Sequence, residues 1–157
     1  MTRRKVSNKI HLAPDAKYKN VAVRQLINYL MVDGKKNKAE KIVTFSLSIA
    51  SNKCEMSPVE FFKVLIANLK PQYEIKARRI GGSIYQVPME VRSDRGIVLA
   101  LKWLVLYAKK RRSERGMSNK LVAEMCDVFN KRGLSMKKLE DTHKMAEANQ
   151  AFAHYRW

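Results

Sequence analysis

Acidic residues are scarce in this chain. Its 157 residues include 14 Asp and Glu against 32 Lys and Arg, which leaves a formal net charge of +18 at pH 7. A compact body with that imbalance repels itself unless a partner neutralises it. The shortage of acids therefore indicates an anionic partner: nucleic acid, an anionic membrane face or an acidic protein. A small protein this basic most often binds nucleic acid.

Long hydrophobic runs and paired cysteines are also lacking. The longest apolar run, residues 97–108, is 12 residues long and is interrupted by Lys102. Because a membrane span needs about 20 apolar residues, this run predicts a buried helix. The basic amino terminus has neither the apolar core of a signal peptide nor the pattern of a transit peptide. Cys54 and Cys126 have no paired spacing and suit a reducing compartment, so both are interpreted as half-exposed or buried thiols.

Enzyme and metal-site motifs are missing as well. The three histidines, His11, His143 and His154, show no metal-ligand spacing such as HExxH, and no CxxC occurs. The segment GGSIYQ lacks the GK[ST] ending of a phosphate-binding loop, and no Ser-His-Asp order is visible. The sequence therefore predicts no enzyme, no cofactor, no metal and no small-molecule substrate.

The apolar residues that are present recur mostly at helical spacing, which predicts a mainly α single domain of about six helices. Residues 1–19 are interpreted as a basic N-terminal arm and residues 20–157 as the helical domain. Asn20 is expected to cap the first helix and Gly34 to end it. Ser57 with Glu60 forms a capping box for the third helix. The remaining helices are predicted at about 36–51, from Ser93 or Asp94 into the run KKRRSERG (109–116), around 121–129, and from about Ser135 onward.

The hydrophobic period changes from 3.6 to 2 between the third and fourth helices. This change predicts a two-stranded β-ribbon over about 73–90 that protrudes from the helices. The double glycine at 81–82 fits a two-residue primed turn, where positive φ costs glycine little. With that turn, Arg78 lies opposite Tyr85, and one face carries Lys76, Arg78 and Tyr85 together. The ribbon thus resembles a basic finger with an aromatic side chain on it.

Three segments resemble the small-subunit ribosomal protein S-seven family, of bacterial or organellar type. They are VRQLINYLMVDGKKNKAEKIV (23–43), EIKARRIGGSIYQVPMEVR (74–92) and DTHKMAEANQAFAHYRW (141–157). The resemblance runs over nearly the whole chain, from about residue 3 to 157. It implies six helices with a protruding ribbon between the third and fourth helices. This agrees with the fold predicted above from hydrophobic periodicity and helix caps.

The resemblance also implies a function. The chain is expected to be a structural constituent of the small ribosomal subunit and a primary binder of the 3′ major domain of its rRNA, nucleating assembly of the subunit head. It is expected beside the exit-site tRNA and the mRNA exit channel, near ribosomal proteins S-nine and S-eleven, on a cytoplasmic bacterial ribosome or an organellar one. The sequence departs from the family pattern in three places. Ala77 stands where the family often has serine, and residues 112–120 match the family only loosely. The sequence ends at Trp157, without the C-terminal extension of some members.

Lys and Arg neutralise RNA phosphates, while Arg and Tyr also stack on bases. The predicted rRNA-facing residues are Arg3, Arg4, Lys5, Lys9, Lys35, Lys36, Arg92, Arg95, Lys109, Lys110, Arg111, Arg112 and Arg115. The predicted ribbon residues on the tRNA and mRNA side are Lys76, Arg78, Arg79, Gly81, Gly82 and Tyr85. Simple solvation of an individual lysine is the alternative at every basic position.

Two other classes of protein would share the basic charge. A helical DNA-binding or nucleoid protein would need a recognition helix with polar side chains for base edges, usually in a dimer. A membrane-surface protein would show one helix with a basic face opposite a large apolar face. The helices here have lysine-rich ends without a polar reading face, and none combines the two membrane features cleanly.

Overall fold

Six α-helices and one β-ribbon form the described part of the chain, which is residues 12–155 of a computed structural model. The elements, in order, are α1 (Val21–Leu30), α2 (Lys36–Lys53), α3 (Pro58–Leu69), β1 (Tyr73–Ile80), β2 (Ser83–Glu90), α4 (Ser93–Lys110), α5 (Met117–Phe129), α6 (Leu134–Ala148) and a 3₁₀ helix (Gln150–Tyr155). This order confirms the predicted mainly α fold with a ribbon between the third and fourth helices. The predicted arm falls mostly on residues 1–11, outside the described residues.

Side-chain caps start two of the helices as predicted. The Asn20 side-chain oxygen accepts from the Ala22 backbone N–H at 2.8 Å. Ser57 Oγ accepts from the Glu60 N–H at 3.3 Å and donates to the Glu60 carboxylate at 2.9 Å. Each cap satisfies a backbone donor that the helix itself leaves without a partner and stabilises the helix by about 1 kcal/mol.

The first helix ends earlier than predicted. α1 stops at Leu30, and Met31 is already extended, with φ −59° and ψ 136°. Asp33 and Gly34 both have positive φ, at 52° and 71°. Gly34 therefore shapes the short turn between α1 and α2 and does not cap the helix. The apolar pattern of α1 includes Met31 in the sequence. Met31 packs against the hydrophobic core, but it lies after the end of the helix.

The long apolar helix α4 lies at the centre of the bundle, as its sequence predicts. It contacts α1, α3, α5 and α6, and Leu101 and Leu104 are fully buried. Phe61 on α3 and Phe129 on α5 stack with ring centroids 5.4 Å apart. None of the helices in residues 12–155 is long and apolar enough to cross a membrane.

The ribbon has the predicted register. Arg78 pairs with Tyr85 and Lys76 with Val87 in the antiparallel ladder. Both turn glycines have positive φ, 55° at Gly81 and 94° at Gly82, as a primed turn requires.

Helices support the base of the ribbon. Val87 and Pro88 are buried there, and the strands contact α6 and the 3₁₀ helix. A two-stranded ribbon alone is marginally stable in water, so this packing holds the inner half of the ribbon in place.

Candidate nucleic-acid interface

The turn before α2 and the start of that helix form the first basic cluster. Lys35 and Lys36 are both exposed. Lys35 Nζ lies 3.8 Å from an Asp33 carboxylate oxygen, and both side chains are more than 60% exposed. An exposed pair of this kind contributes little and leaves the lysine available to a stronger anion. The first turn of α2 has no acidic residue and no side-chain cap, so the positive end of the helix dipole also favours an external anion.

The end of α4 and the following turn form the second basic cluster. Lys109, Lys110, Arg112 and Arg115 are exposed. Cations suit the carboxyl end of a helix, because the helix dipole is negative there. The Lys110 ammonium lies 5.2 Å from the centre of the Tyr107 ring, close enough for a cation–π contact. These four side chains are placed where an RNA phosphate backbone can reach them.

Arg111 differs from its four neighbours. Its guanidinium bonds Glu114 at 3.1 Å and Glu124 at 2.9 Å, and it also bonds Asp127. Only 20% of its side chain is exposed, and Glu124 is fully buried. Burial alone would lower the pKa of Arg111, but the hydrogen bonds that it donates to Asp127, Glu114 and Glu124 outweigh burial and raise the pKa. Arg111 therefore joins α4 to α5, and we leave it out of the proposed RNA contacts.

The third basic cluster lies where the ribbon base meets the start of α4. Arg92 and Arg95 are exposed there. A Glu74 carboxylate lies between two cations, 3.1 Å from Lys76 Nζ and 3.3 Å from Arg95 Nε. Lys70 Nζ donates to Ser93 Oγ at 3.0 Å. Because Glu74 neutralises part of the charge of Lys76 and Arg95, Arg92 is the predicted arginine here that keeps more of its charge for an external anion.

The outer half of the ribbon presents two different faces. On one face, Arg79 is exposed and pairs in the ladder with Ile84, which is 72% exposed. On the other face, Arg78 is half-buried, and the Tyr85 ring packs on Phe152 and Tyr155, at centroid distances of 5.2 and 5.5 Å. The Tyr85 ring therefore packs the ribbon against the 3₁₀ helix, a role that its predicted place on the tRNA and mRNA side did not include.

The structure spreads the predicted cations and does not gather them into one pocket. α4 is 18 residues long, about 27 Å, and separates the cluster at its start from the cluster at its end. The exposed Gly81-Gly82 tip is a fourth region, separate from the three basic clusters. Arg3, Arg4, Lys5 and Lys9 lie outside the described residues.

Two features of this surface were missed from sequence. Lys102 Nζ on α4 lies 5.5 Å from the centre of the Tyr29 ring on α1. In the sequence, Lys102 was noted only as an interruption of the apolar run of α4. Phe45 on α2 is 50% exposed and lines a cleft of about 620 Å³ with Lys17 and Lys41. Its position between the buried Val43 and Leu47 places it off the apolar stripe, which is the signal that would have found it.

The two described histidines already contact backbone groups. His143 Nε2 accepts from the Gln72 N–H at 3.2 Å, and His154 Nδ1 lies 2.9 Å from the Ala151 carbonyl oxygen. Both line a cleft of about 650 Å³ between the ribbon base and α6. Within residues 12–155, no three His, Cys, Asp or Glu side chains come close enough together to hold a metal ion.

The fold and its spread cations define a helical protein of the nucleic-acid-binding class. The family model described as ribosomal protein S7p/S5e matches residues 2–150. The chain is 52% identical over 155 residues to small ribosomal subunit protein uS7 of Geotalea uraniireducens, covering 99% of this chain and 98% of the relative. The protein of that name from Lawsonia intracellularis is 55% identical over 144 residues, covering 92% of each chain.

The chain belongs to the ribosomal protein S7p/S5e family. The resemblance seen in the three quoted segments is thereby confirmed. So is the prediction that the protein is not an enzyme, because the family consists of ribosomal structural proteins.

Proposed function

We propose that this protein is a structural constituent of the small ribosomal subunit and a primary binder of the 3′ major domain of its rRNA. In this role it nucleates assembly of the subunit head. The two relatives, both small ribosomal subunit protein uS7, support the subunit assignment. The observation that carries the RNA-binding proposal is the placement of exposed cations at both ends of α4. A folded RNA presents phosphates over such distances, whereas a small anion would need a single pocket.

The ribbon supports a second part of the proposal, contact with the exit-site tRNA and with mRNA. Arg79 and the two turn glycines are exposed at the outer half, where Tyr85 packs on the 3₁₀ helix, and Val87 is buried at the inner half. A thin tip can enter a space between RNA strands where a helical body would collide. The same proposal places ribosomal proteins S-nine and S-eleven as neighbours, on a cytoplasmic bacterial ribosome or an organellar one.

Co-sedimentation with washed ribosomal subunits tests the proposal. The tagged full-length protein should sediment with small subunits and remain there after a high-salt wash, because a primary binder is held by specific contacts as well as by charge. A variant with Lys109, Lys110, Arg112 and Arg115 changed to Ala should be lost in the wash. Equal retention on large subunits, or full loss of the wild-type protein in the wash, would refute the proposal.

A further inference from the structure

An aromatic ring is exposed on the outer face of α2. Phe45 is 50% exposed, whereas Val43, Ser46 and Leu47 beside it in the helix are buried. The ring lines a cleft of about 620 Å³, and the other residues of the lining are polar or charged: Lys17, Asn37, Glu40, Lys41, Thr44 and Ser48. An aromatic side chain is among the largest apolar surfaces that a residue can bury, so its exposed half is available to a partner.

The α2 residues of this cleft share one face of the helix. Asn37, Lys41 and Phe45 follow one another at intervals of four residues. Ser48 lies three residues further on, so the face extends for about 16 Å along the helix. It begins in the first turn of α2, next to Lys36 of the first basic cluster. The cleft is therefore continuous with a surface already proposed to bind RNA.

The segment before α1 provides the other side of the cleft and is fixed to α2. The Tyr18 hydroxyl donates to the Thr44 carbonyl oxygen at 3.4 Å. The Asp15 carboxylate accepts from the backbone N–H groups of Lys17 and Tyr18, both at 3.1 Å. Lys17 Nζ also lies 5.4 Å from the centre of the Tyr18 ring. These contacts hold Lys17 beside the exposed face of α2.

The charges of the cleft favour an anion. Lys17 and Lys41 are exposed, and neither forms an ion pair with any other residue in the range 12–155. The half-buried Glu40 is the acid of the described lining, so two cations face one carboxylate. Asn37 and Ser48 add groups that can hydrogen-bond to the edge of a base.

We propose that this cleft binds one unpaired nucleotide of RNA, with its base stacked on Phe45 and its neighbouring phosphates bound by Lys17 and Lys41. The site extends the RNA-binding surface proposed above and rests on that proposal. A nucleotide fits because its base is a flat π-system and its backbone is anionic. An inorganic anion would leave the ring exposed, and an apolar peptide would leave both ammonium groups without a partner.

Photo-crosslinking of the full-length protein tests the site directly. The probe is single-stranded oligouridylate that carries 5-iodouridine, which crosslinks on irradiation to an aromatic ring stacked against it. Peptide mass spectrometry should place a crosslink on Phe45, and Phe45→Ala should lose that crosslink alone. Absence of a crosslink at Phe45 in the wild type would overturn the inference. Failure of the wild type to bind the 3′ major domain fragment would instead overturn the proposed function, because the oligouridylate result does not depend on that fragment.

Affinity for the rRNA fragment separates the stacking role from the charge role. Phe45→Ala should weaken binding by roughly 5- to 150-fold and leave its salt dependence unchanged, because no phosphate contact is lost. Phe45→Tyr, which keeps an aromatic ring, should bind as the wild type does. Lys41→Ala should lower the slope of log affinity against log salt by about 1.

Circular dichroism and melting curves of the same variants should match those of the wild type, since the exposed part of each side chain lies outside the core. Wild-type affinity in Phe45→Ala would overturn the stacking role, and an unchanged salt slope in Lys41→Ala would overturn the phosphate role.

Discussion

Arg111 Nη1 lies 2.9 Å from the Glu124 Oε2 atom, and the Glu124 side chain is fully buried. The other Glu124 oxygen accepts hydrogen bonds from the backbone N–H and the hydroxyl of Ser135. One buried carboxylate thus joins the end of α4, the middle of α5 and the start of α6. Because a buried charge is costly without partners, Arg111 is required for the fold at this junction.

Replacing Arg111 with methionine should destabilise the protein by about 3–5 kcal/mol, because Glu124 would remain buried without its cation. Urea unfolding followed by circular dichroism measures this change. The matched control is Arg112→Met, which alters the neighbouring exposed arginine and should shift stability by less than about 0.5 kcal/mol. Equal stability of the two variants would contradict the structural role of Arg111.

The Glu114 carboxylate should make stability depend on acid pH. A hydrogen bond from Ser113, and then one from Arg111, lower the pKa of Glu114 below its value in the unfolded chain. Its contribution is therefore fully present above the unfolded pKa of about 4.3 and is lost as pH falls through the folded pKa. Melting temperatures of the wild type and Glu114→Gln should differ at pH 6 and converge toward pH 3. The difference should shrink in an Arg111→Met background, and a difference that grows with acidity would refute this assignment.

Substitutions of Arg79 and Tyr85 should have different effects, the first on tRNA binding and the second on the stability of the ribbon. Arg79→Ala should keep the wild-type melting temperature, since the side chain is exposed, but should weaken retention of deacylated tRNA at the exit site of reconstituted subunits. Filter binding of labelled tRNA measures the retention. Normal tRNA retention by Arg79→Ala would show that this arginine is only solvated.

Tyr85→Ala is the contrasting variant. It removes ring contacts with Phe152 and Tyr155, so it should lower the melting temperature or loosen the C-terminal segment. Hydrogen exchange at the ribbon amides should report the loosening directly. If Tyr85→Ala left both melting and exchange unchanged, the packing role of the tyrosine would be wrong.

Local signals made much of the fold predictable. The Ser57 cap, the central helix α4 and the Arg78–Tyr85 register could be predicted from the sequence. Helix caps, hydrophobic periodicity and two-residue turns each depend on residues that are close together in the chain. The end of α1 was misplaced because Gly34 looked like a helix stop, although its positive φ serves the next turn.

Side-chain roles set by distant partners could not be read from sequence. Arg111 looked like one more cation in a basic run, and only its approach to Glu124 distinguishes it. Tyr85 looked like an exposed stacking residue, because the segment that covers it lies about 70 residues further along the chain.

The salt dependence of binding to a fragment of the 3′ major domain tests the central claim most directly, with duplex DNA as competitor at matched salt. If the exposed cations neutralise roughly 6–10 phosphates, affinity should fall by about 10³–10⁵-fold between 50 and 200 mM monovalent salt on the DNA scale, and somewhat less for RNA. The rRNA fragment should outcompete the duplex throughout. A flat salt response, or equal competition by duplex DNA, would contradict the account.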